Sequence, residues 1–136
     1  MLGTQEAANT QLVQDAYAAF GRGDITMLLG YMSDDVQWRP VIGAAKHVPF
    51  AGERKGKAAV AEFFTRVAES EDFEQFEPRE FTAQGDSVVA LGRYRAKVKK
   101  TGRTFESDFA MVFTVRGGKV VAFREFTDSA AINAAF

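Results

Sequence analysis

The sequence predicts a single α+β domain, residues 1–136, in which helices pack on the concave face of a curved mixed or antiparallel sheet. Helical periodicity occupies much of the first half of the chain, and strands separated by glycine turns fill the second half. One face of those strands is apolar and aromatic, so the helices are needed to cover it. The length of 136 residues, 46% of them hydrophobic, suits one domain with a sizeable core.

The composition narrows the classes of function. Acidic and basic residues nearly balance, at 18 and 17, so the net charge of -1 gives no field that would recruit nucleic acid. The absence of cysteine and the single histidine disfavour metal cages, and we expect no metal and no cofactor. No apolar run approaches the roughly 18 residues of a membrane span, and the N-terminus has no secretory pattern. We therefore expect a cytoplasmic protein with no membrane partner.

Two helices are expected before the first strand. The Gly-Arg-Gly segment 21–23 ends the first helix, and Asp24 caps a short second helix over 25–32 that stops at 33–35. The first helix begins near Thr4 and presents one apolar stripe, formed by Ala8, Leu12, Val13, Ala16, Tyr17 and Phe20.

A strand, a long loop and a third helix come next. Alternation over 36–39 predicts a strand with Trp38 facing the core, and Pro40 stops it. Residues 41–56 are predicted to form a loop. The third helix begins near Gly56, runs out in an acidic stretch, and buries Val60, Phe63, Phe64 and Val67. Another strand is expected over 76–83.

The turn at 101–102 predicts how the next two strands pair. A two-residue turn there pairs Tyr94 with Phe109 on an apolar face. It also pairs Arg95 with Asp108 on the opposite face, where opposite charges would meet. Hydrophobic pattern and charge pattern thus favour the same register.

The last turn decides which way Glu125 points. A three-residue loop over 116–118 with a glycine bulge would pair Phe109 with Glu125, and Glu125 would face inward. A two-residue turn at 117–118 would flip the last strand and turn Arg124 inward instead.

Four stretches of the chain resemble the SnoaL-like branch of the NTF2-like superfamily. They are residues 13–24 (VQDAYAAFGRGD), 33–38 (SDDVQW), 56–64 (GKAAVAEFF) and 118–128 (GKVVAFREFTD). The resemblance covers nearly the whole chain and implies an NTF2-like cone that encloses one pocket. The family includes polyketide cyclases, ketosteroid isomerases, limonene-type epoxide hydrolases and members with no assigned activity.

Glu125 is the sharpest candidate for a catalytic residue. In the three-residue-loop register it points into an aromatic pocket beside Phe109, Met111 and Phe123, where burial would raise its pKa and make it a proton shuttle near neutral pH. The resemblance places it where SnoaL-like cyclases carry an acidic general base. The alternative is that Glu125 faces solvent or pairs with an arginine.

At two positions the chain lacks the residues that the usual ketosteroid isomerase activity requires. By the resemblance, Met111 takes the place of a protonated aspartate or a histidine that hydrogen-bonds the substrate oxygen, and methionine cannot donate. The isomerase base falls near Pro40, again without a carboxylate. Tyr17, Tyr94 or Ser107 would have to supply the missing donor.

His47 and a set of mainly aromatic residues complete the predicted site. His47 lies in the loop that the resemblance places over the pocket mouth, and it is a second candidate for acid–base catalysis if it points inward. A surface position is the alternative. Phe50, in the same loop, is expected to plug the pocket. The predicted ligand-binding residues are Tyr17, Trp38, Phe50, Tyr94, Ser107, Phe109, Met111, Phe113 and Phe123.

Six basic residues and no acidic ones lie from Arg93 to Arg103. Glu106 and Asp108 neutralise part of this stripe across the sheet, so we expect a solvated or subunit-facing surface and no nucleic-acid partner. The same register leaves the Asp-Arg-Asp arrangement of the epoxide hydrolases outside the pocket.

Two functions follow from the pocket. One is a cofactor-free acid–base enzyme of the isomerase, cyclase or hydratase type, acting on a small apolar organic molecule. The other is a non-catalytic ligand-binding or dimerisation domain, which the missing donor at Met111 favours. In both cases we expect a homodimer through the outer sheet face, which offers Ala110, Val112, Ala122 and Phe126.

Overall fold

Four helices and six strands follow one another in the computed structural model, which describes residues 3–136. The helices are α1 (Thr4–Gly21), α2 (Ile25–Gly30), α3 (Lys57–Ser70) and α4 (Ser129–Ala135). The strands are β1 (Met32–Arg39), β2 (Arg54–Lys55), β3 (Glu71–Gln84), β4 (Ser87–Val98), β5 (Thr104–Arg116) and β6 (Lys119–Phe126). The predicted α+β class is confirmed.

The six strands form one mixed sheet in the order β2-β1-β6-β5-β4-β3, with β2 and β3 at its edges. β1 runs parallel to β6, and every other neighbouring pair is antiparallel. α1 packs against β3 and β4, while α3 packs against β1 and β3. The helices therefore cover the apolar face of the sheet, which gives the expected cone.

The first two helices follow the sequence closely, except that Ala8 of the predicted apolar stripe is exposed and that α2 ends early. α1 begins at Thr4, and Asp24 caps α2 by accepting a hydrogen bond from the Met27 amide at 3.0 Å. The predicted extension of α2 to residue 32 is wrong. Met32 starts β1 because its backbone pairs in parallel with Val120 of β6, which removes it from the helix.

The middle of the chain contains two further differences. The predicted loop 41–56 includes the short strand β2, which pairs with β1. α3 has the predicted buried face, but β3 begins directly after it at Glu71 rather than near residue 76. The reason is that β4 extends to Val98 and supplies a pairing partner for Glu71.

The predicted β4–β5 register is wrong by two residues. Tyr94 pairs with Ser107, not with Phe109, and Arg95 pairs with Glu106. The connection is a five-residue loop over 99–103, because the Val98 amide already bonds the Arg103 carbonyl at 2.8 Å. A shift of two leaves every side chain on its predicted face.

The predicted three-residue loop before β6 is also wrong. Gly117 and Gly118 form a two-residue turn, and both have positive φ, at 57° and 72°. Val121 is then an extra residue, since the pairing shifts between the two residues that flank it. Because of this bulge, the alternation of inward and outward side chains after Val121 is shifted by one residue. Glu125 therefore faces inward and pairs with Met111.

No helix among residues 3–136 is both long enough and apolar enough to cross a membrane.

Candidate functional site

A cavity lies between the helices and the concave face of the sheet. Its volume is about 80 Å³, which is room for a small ligand. Its lining residues are Ala16, Tyr17, Phe20, Leu28, Trp38, Val41, Phe50, Phe63, Phe64, Val67, Glu71, Phe73, Phe76, Tyr94, Met111, Phe113, Phe123 and Glu125. Most of this wall is aromatic, and only a few polar atoms interrupt it.

Two of the predicted ligand-binding residues do not line the cavity. Ser107 is buried, but its hydroxyl donates to the Asp108 carbonyl at 2.7 Å and accepts from the Asp128 amide at 2.8 Å, which fixes the start of α4. Phe109 stacks on Phe76, with ring centroids 5.5 Å apart, and does not itself line the cavity. The cavity is lined by the other seven, Tyr17, Trp38, Phe50, Tyr94, Met111, Phe113 and Phe123.

His47 does not point inward, so its predicted role in acid–base catalysis is not supported. Its side chain is exposed, and Nε2 lies 2.9 Å from the Asn133 carbonyl oxygen of α4. Phe50, three residues further on, is buried and forms part of the cavity wall. The loop thus places its phenylalanine inside and its histidine on the surface.

Glu125 points into the cavity and is 6% exposed. Its Oε1 accepts a hydrogen bond from the Val41 amide at 3.1 Å, and its Oε2 accepts one from the Tyr94 hydroxyl at 3.3 Å. Burial raises the pKa of this carboxyl to about 7, although both hydrogen bonds pull the pKa down. Glu125 can therefore gain and lose a proton near neutral pH.

Val41 holds Glu125 at the cost of backbone strain. Within residues 3–136 it is the only non-glycine residue with positive φ, at 37°, and a β-branched side chain is disfavoured there. The next amide, of Ile42, donates to the Glu125 carbonyl oxygen at 3.0 Å. Two consecutive amides after Pro40 thus donate hydrogen bonds to one residue of β6. Backbone strain of this kind persists where surrounding contacts fix the backbone.

Glu71 is the functional group that the sequence analysis missed. It is the first residue of β3, it is 5% exposed, and its Oε2 is buried without a hydrogen-bond partner. Burial, and secondly the charge of Glu125, raise its pKa to about 8. It belongs to the acidic stretch at the end of the predicted third helix, for which the sequence predicts no function. The available signal was the alternation from residue 71 to Phe73, which places both on one face of a strand.

Both tyrosines in the wall stay protonated at neutral pH. Burial, and secondly the charge of Glu125, hold the pKa of Tyr17 well above 10, and the same causes act on Tyr94. The Tyr17 hydroxyl donates to Met111 Sδ at 2.9 Å. Because a thioether is a weak acceptor, this hydroxyl can turn to a better acceptor on a ligand.

Trp38 provides one more polar atom. Its indole stacks on Phe123 with ring centroids 3.8 Å apart, and its Nε1 is buried without a hydrogen-bond partner. Together with Glu71 Oε2, the cavity wall therefore contains one unpartnered donor and one unpartnered acceptor.

These features define a small α+β protein whose aromatic cavity carries two buried carboxyl groups. The chain belongs to the SnoaL-like family of the NTF2-like superfamily, since the model of the SnoaL-like domain matches residues 13–123. The expected family is thereby confirmed.

Several solved structures share this fold over most of their length. An NTF2-like protein from Burkholderia xenovorans LB400 is 38% identical, with 98% of each chain covered and a TM-score of 0.88. An NTF2-like protein from Burkholderia thailandensis E264 is 30% identical, with 93% of this chain and 95% of that chain covered and a TM-score of 0.84. TerC, co-crystallised with polyporic acid, is 28% identical, with 94% and 97% covered and a TM-score of 0.77. A search of curated proteins gave no match.

Proposed function

We propose that the protein is a cofactor-free acid–base catalyst of the isomerase or cyclase type, in which Glu125 moves a proton of a small, largely apolar organic substrate. The observation that carries the proposal is the place of Glu125. It is buried in an apolar cavity, it is held by two hydrogen bonds, and its pKa lies near 7. A base is most effective when its pKa is close to the working pH.

The chemistry that fits is proton abstraction from a carbon next to a carbonyl group. The C–H bond breaks, the proton passes to a Glu125 oxygen, and the electron pair moves to the carbonyl oxygen to give an enolate. Where a C=C bond adjoins the carbon that lost the proton, the enolate is a dienolate, and return of the proton to the far carbon of that bond completes an isomerisation. The Tyr17 hydroxyl, released from Met111, is the donor for the enolate oxygen.

The family gives the proposal further support, because cyclases and isomerases occur in it. TerC, a relative with a similar fold, was co-crystallised with polyporic acid. The residue arrangement of the ketosteroid isomerases is not proposed, since Met111 and Pro40 occupy the positions that the resemblance assigns to its key residues.

A deuterium-exchange experiment on 2-indanone tests the proposal. This small bicyclic ketone has acidic hydrogens next to its carbonyl group, and NMR in D2O follows their exchange. We expect the protein to accelerate the exchange, with a rate that rises through about pH 7 as Glu125 ionises. Glu125→Gln should slow the catalysed exchange by roughly 10²-fold or more.

The matched control is Glu80→Gln. It makes the same change of carboxylate to amide at an exposed position of β3. It should leave the exchange rate unchanged. Equal rates in the wild type and in Glu125→Gln would refute the role of Glu125. Saturable binding of 2-indanone without any catalysed exchange would favour the non-catalytic alternative.

A further inference from the structure

The charge of the cavity wall has one sign. Four ionisable side chains line it, and all four are acids: Glu71, Glu125, Tyr17 and Tyr94. Among the described residues, no lysine, arginine or histidine lines it. Arg54 stacks on the Phe63 ring at 5.5 Å, but its guanidinium donates to the carbonyls of the loop that precedes it and is not part of the wall. The two carboxyl groups therefore lack a cation.

Aromatic rings cluster around Tyr94, the hydrogen-bond partner of Glu125. Tyr94, which bonds Glu125, has the ring centroids of Phe73 and Phe76 at 5.6 Å and 5.9 Å, and those two rings are 5.3 Å apart. Phe73 lies two residues from Glu71 on the same strand. The faces of such rings attract cations, and the attraction is strongest where water is excluded.

Once ionised, the two carboxyl groups can only accept hydrogen bonds. The Val41 amide and the Tyr94 hydroxyl already donate to Glu125, and Glu71 Oε2 has no donor. An ionised carboxylate has about four acceptor positions, so Glu125 retains capacity beyond its two bonds. An ammonium group supplies three N–H donors and no acceptor, which complements these groups.

We propose that the cavity binds a small organic ammonium ion, an amine on an apolar ring, whose N–H groups bond Glu71 and Glu125 while the rings around Tyr94 contact its charge. Such a ligand supplies the cation that the carboxyl groups lack, and its ring fits the apolar remainder of the wall. The proposal rests on the cavity alone and does not require that Glu125 transfer a proton in catalysis.

A matched pair of ligands tests this inference by isothermal titration calorimetry. 2-Aminoindane and 2-indanol share one bicyclic skeleton, and only the amine is cationic at neutral pH. At pH 8 we expect 2-aminoindane to bind the wild type at least about tenfold more tightly than 2-indanol. The preference should shrink at pH 6, because the carboxyl groups must then lose a proton before they pair with the amine.

Proton release gives a second readout that needs no variant. If the amine ionises a carboxyl group at pH 6, the binding enthalpy will depend on the ionisation enthalpy of the buffer, whereas binding of 2-indanol will not show this dependence. In the double variant Glu71→Gln/Glu125→Gln the preference for the amine should disappear, while Glu80→Gln should retain it.

The inference fails if 2-indanol binds the wild type at pH 8 as tightly as the amine, if the amine does not bind, or if the preference survives in the folded double variant. These outcomes are separate from the failure of the proposed catalysis, which is decided by deuterium exchange into 2-indanone.

Discussion

The hydroxyl of Tyr94 donates a hydrogen bond to Glu125 Oε2 over 3.3 Å, and both side chains are buried in the cavity wall. This bond lowers the pKa of Glu125 against the larger effect of burial. The tyrosine therefore helps to keep the carboxyl group close to a pKa of 7 rather than higher.

Replacing Tyr94 with phenylalanine should raise the pKa of Glu125 above about 7. The variant loses one donor to the carboxylate and also about 1 kcal/mol of stability. A ¹³C NMR titration of the glutamate carboxyl carbons measures the shift. Tyr31→Phe is the control, since Tyr31 does not line the cavity, and it should leave the titration unchanged. An unchanged or lower pKa in Tyr94→Phe would contradict the assigned role of the bond.

Stability should fall as the pH rises from about 5 to about 8. The pKa values of Glu125 and Glu71 in the folded protein, about 7 and about 8, exceed their ordinary value of 4.5. Between these values the folded state binds more protons than the unfolded state, so raising the pH favours unfolding. Urea melts across this range give the free energy of unfolding at each pH.

The slope of that pH dependence should be smaller in Glu71→Gln and in Glu125→Gln, because an amide cannot ionise. It should be unchanged in Glu80→Gln. A wild-type stability that is flat or rises between pH 5 and pH 8 would show that the two carboxyl groups are not held in their neutral form by the fold.

Gly92→Ala should destabilise the protein strongly, by about 3 kcal/mol or more. A Cβ atom at this position would lie 2.2 Å from the Glu77 carbonyl oxygen and 2.5 Å from Phe109 Cζ. Neither strand can move away without loss of pairing between β3 and β4. Gly30→Ala is the control, because a Cβ there meets no atom within 4 Å, and it should be neutral or slightly stabilising. Chemical denaturation of both variants measures the difference.

The outer face of the sheet should form a homodimer interface. Leu91, Ala110 and Phe126 are direct neighbours across β4, β5 and β6, and Leu91 and Phe126 are each 41% exposed. Phe126→Lys should shift the protein to monomers in analytical ultracentrifugation at micromolar concentration. Met27→Lys, which replaces another exposed apolar residue on α2 at 45% exposure, should leave the assembly unchanged. A monomeric wild type would rule the interface out.

The sequence was sufficient for the class of fold and for the face on which most side chains lie, because apolar periodicity reports burial directly. It was not sufficient for register. The β4–β5 loop has five residues where the glycine suggested a two-residue turn, since loop length depends on how far both strands continue to pair. The resulting error of two residues placed Tyr94 opposite Phe109 instead of Ser107, but it left the side chain on the correct face of the sheet.

The candidate site was only partly predictable for a related reason. Glu125 was found because its neighbours alternate, whereas Glu71 was missed because helix and strand join there without a turn residue to mark the boundary. Ser107 and His47 are polar residues in suitable segments, but one supports α4 and the other contacts its backbone. Whether a polar group meets a ligand or another segment is decided by tertiary packing.

The bulge at Val121 determines which ionisable side chain of β6 faces the cavity. If the same chain paired from the two-residue turn without the bulge, Arg124 would take the inward position of Glu125. One bulged residue thus decides that the chamber holds the carboxyl groups of Glu71 and Glu125 together, instead of Glu71 beside a guanidinium.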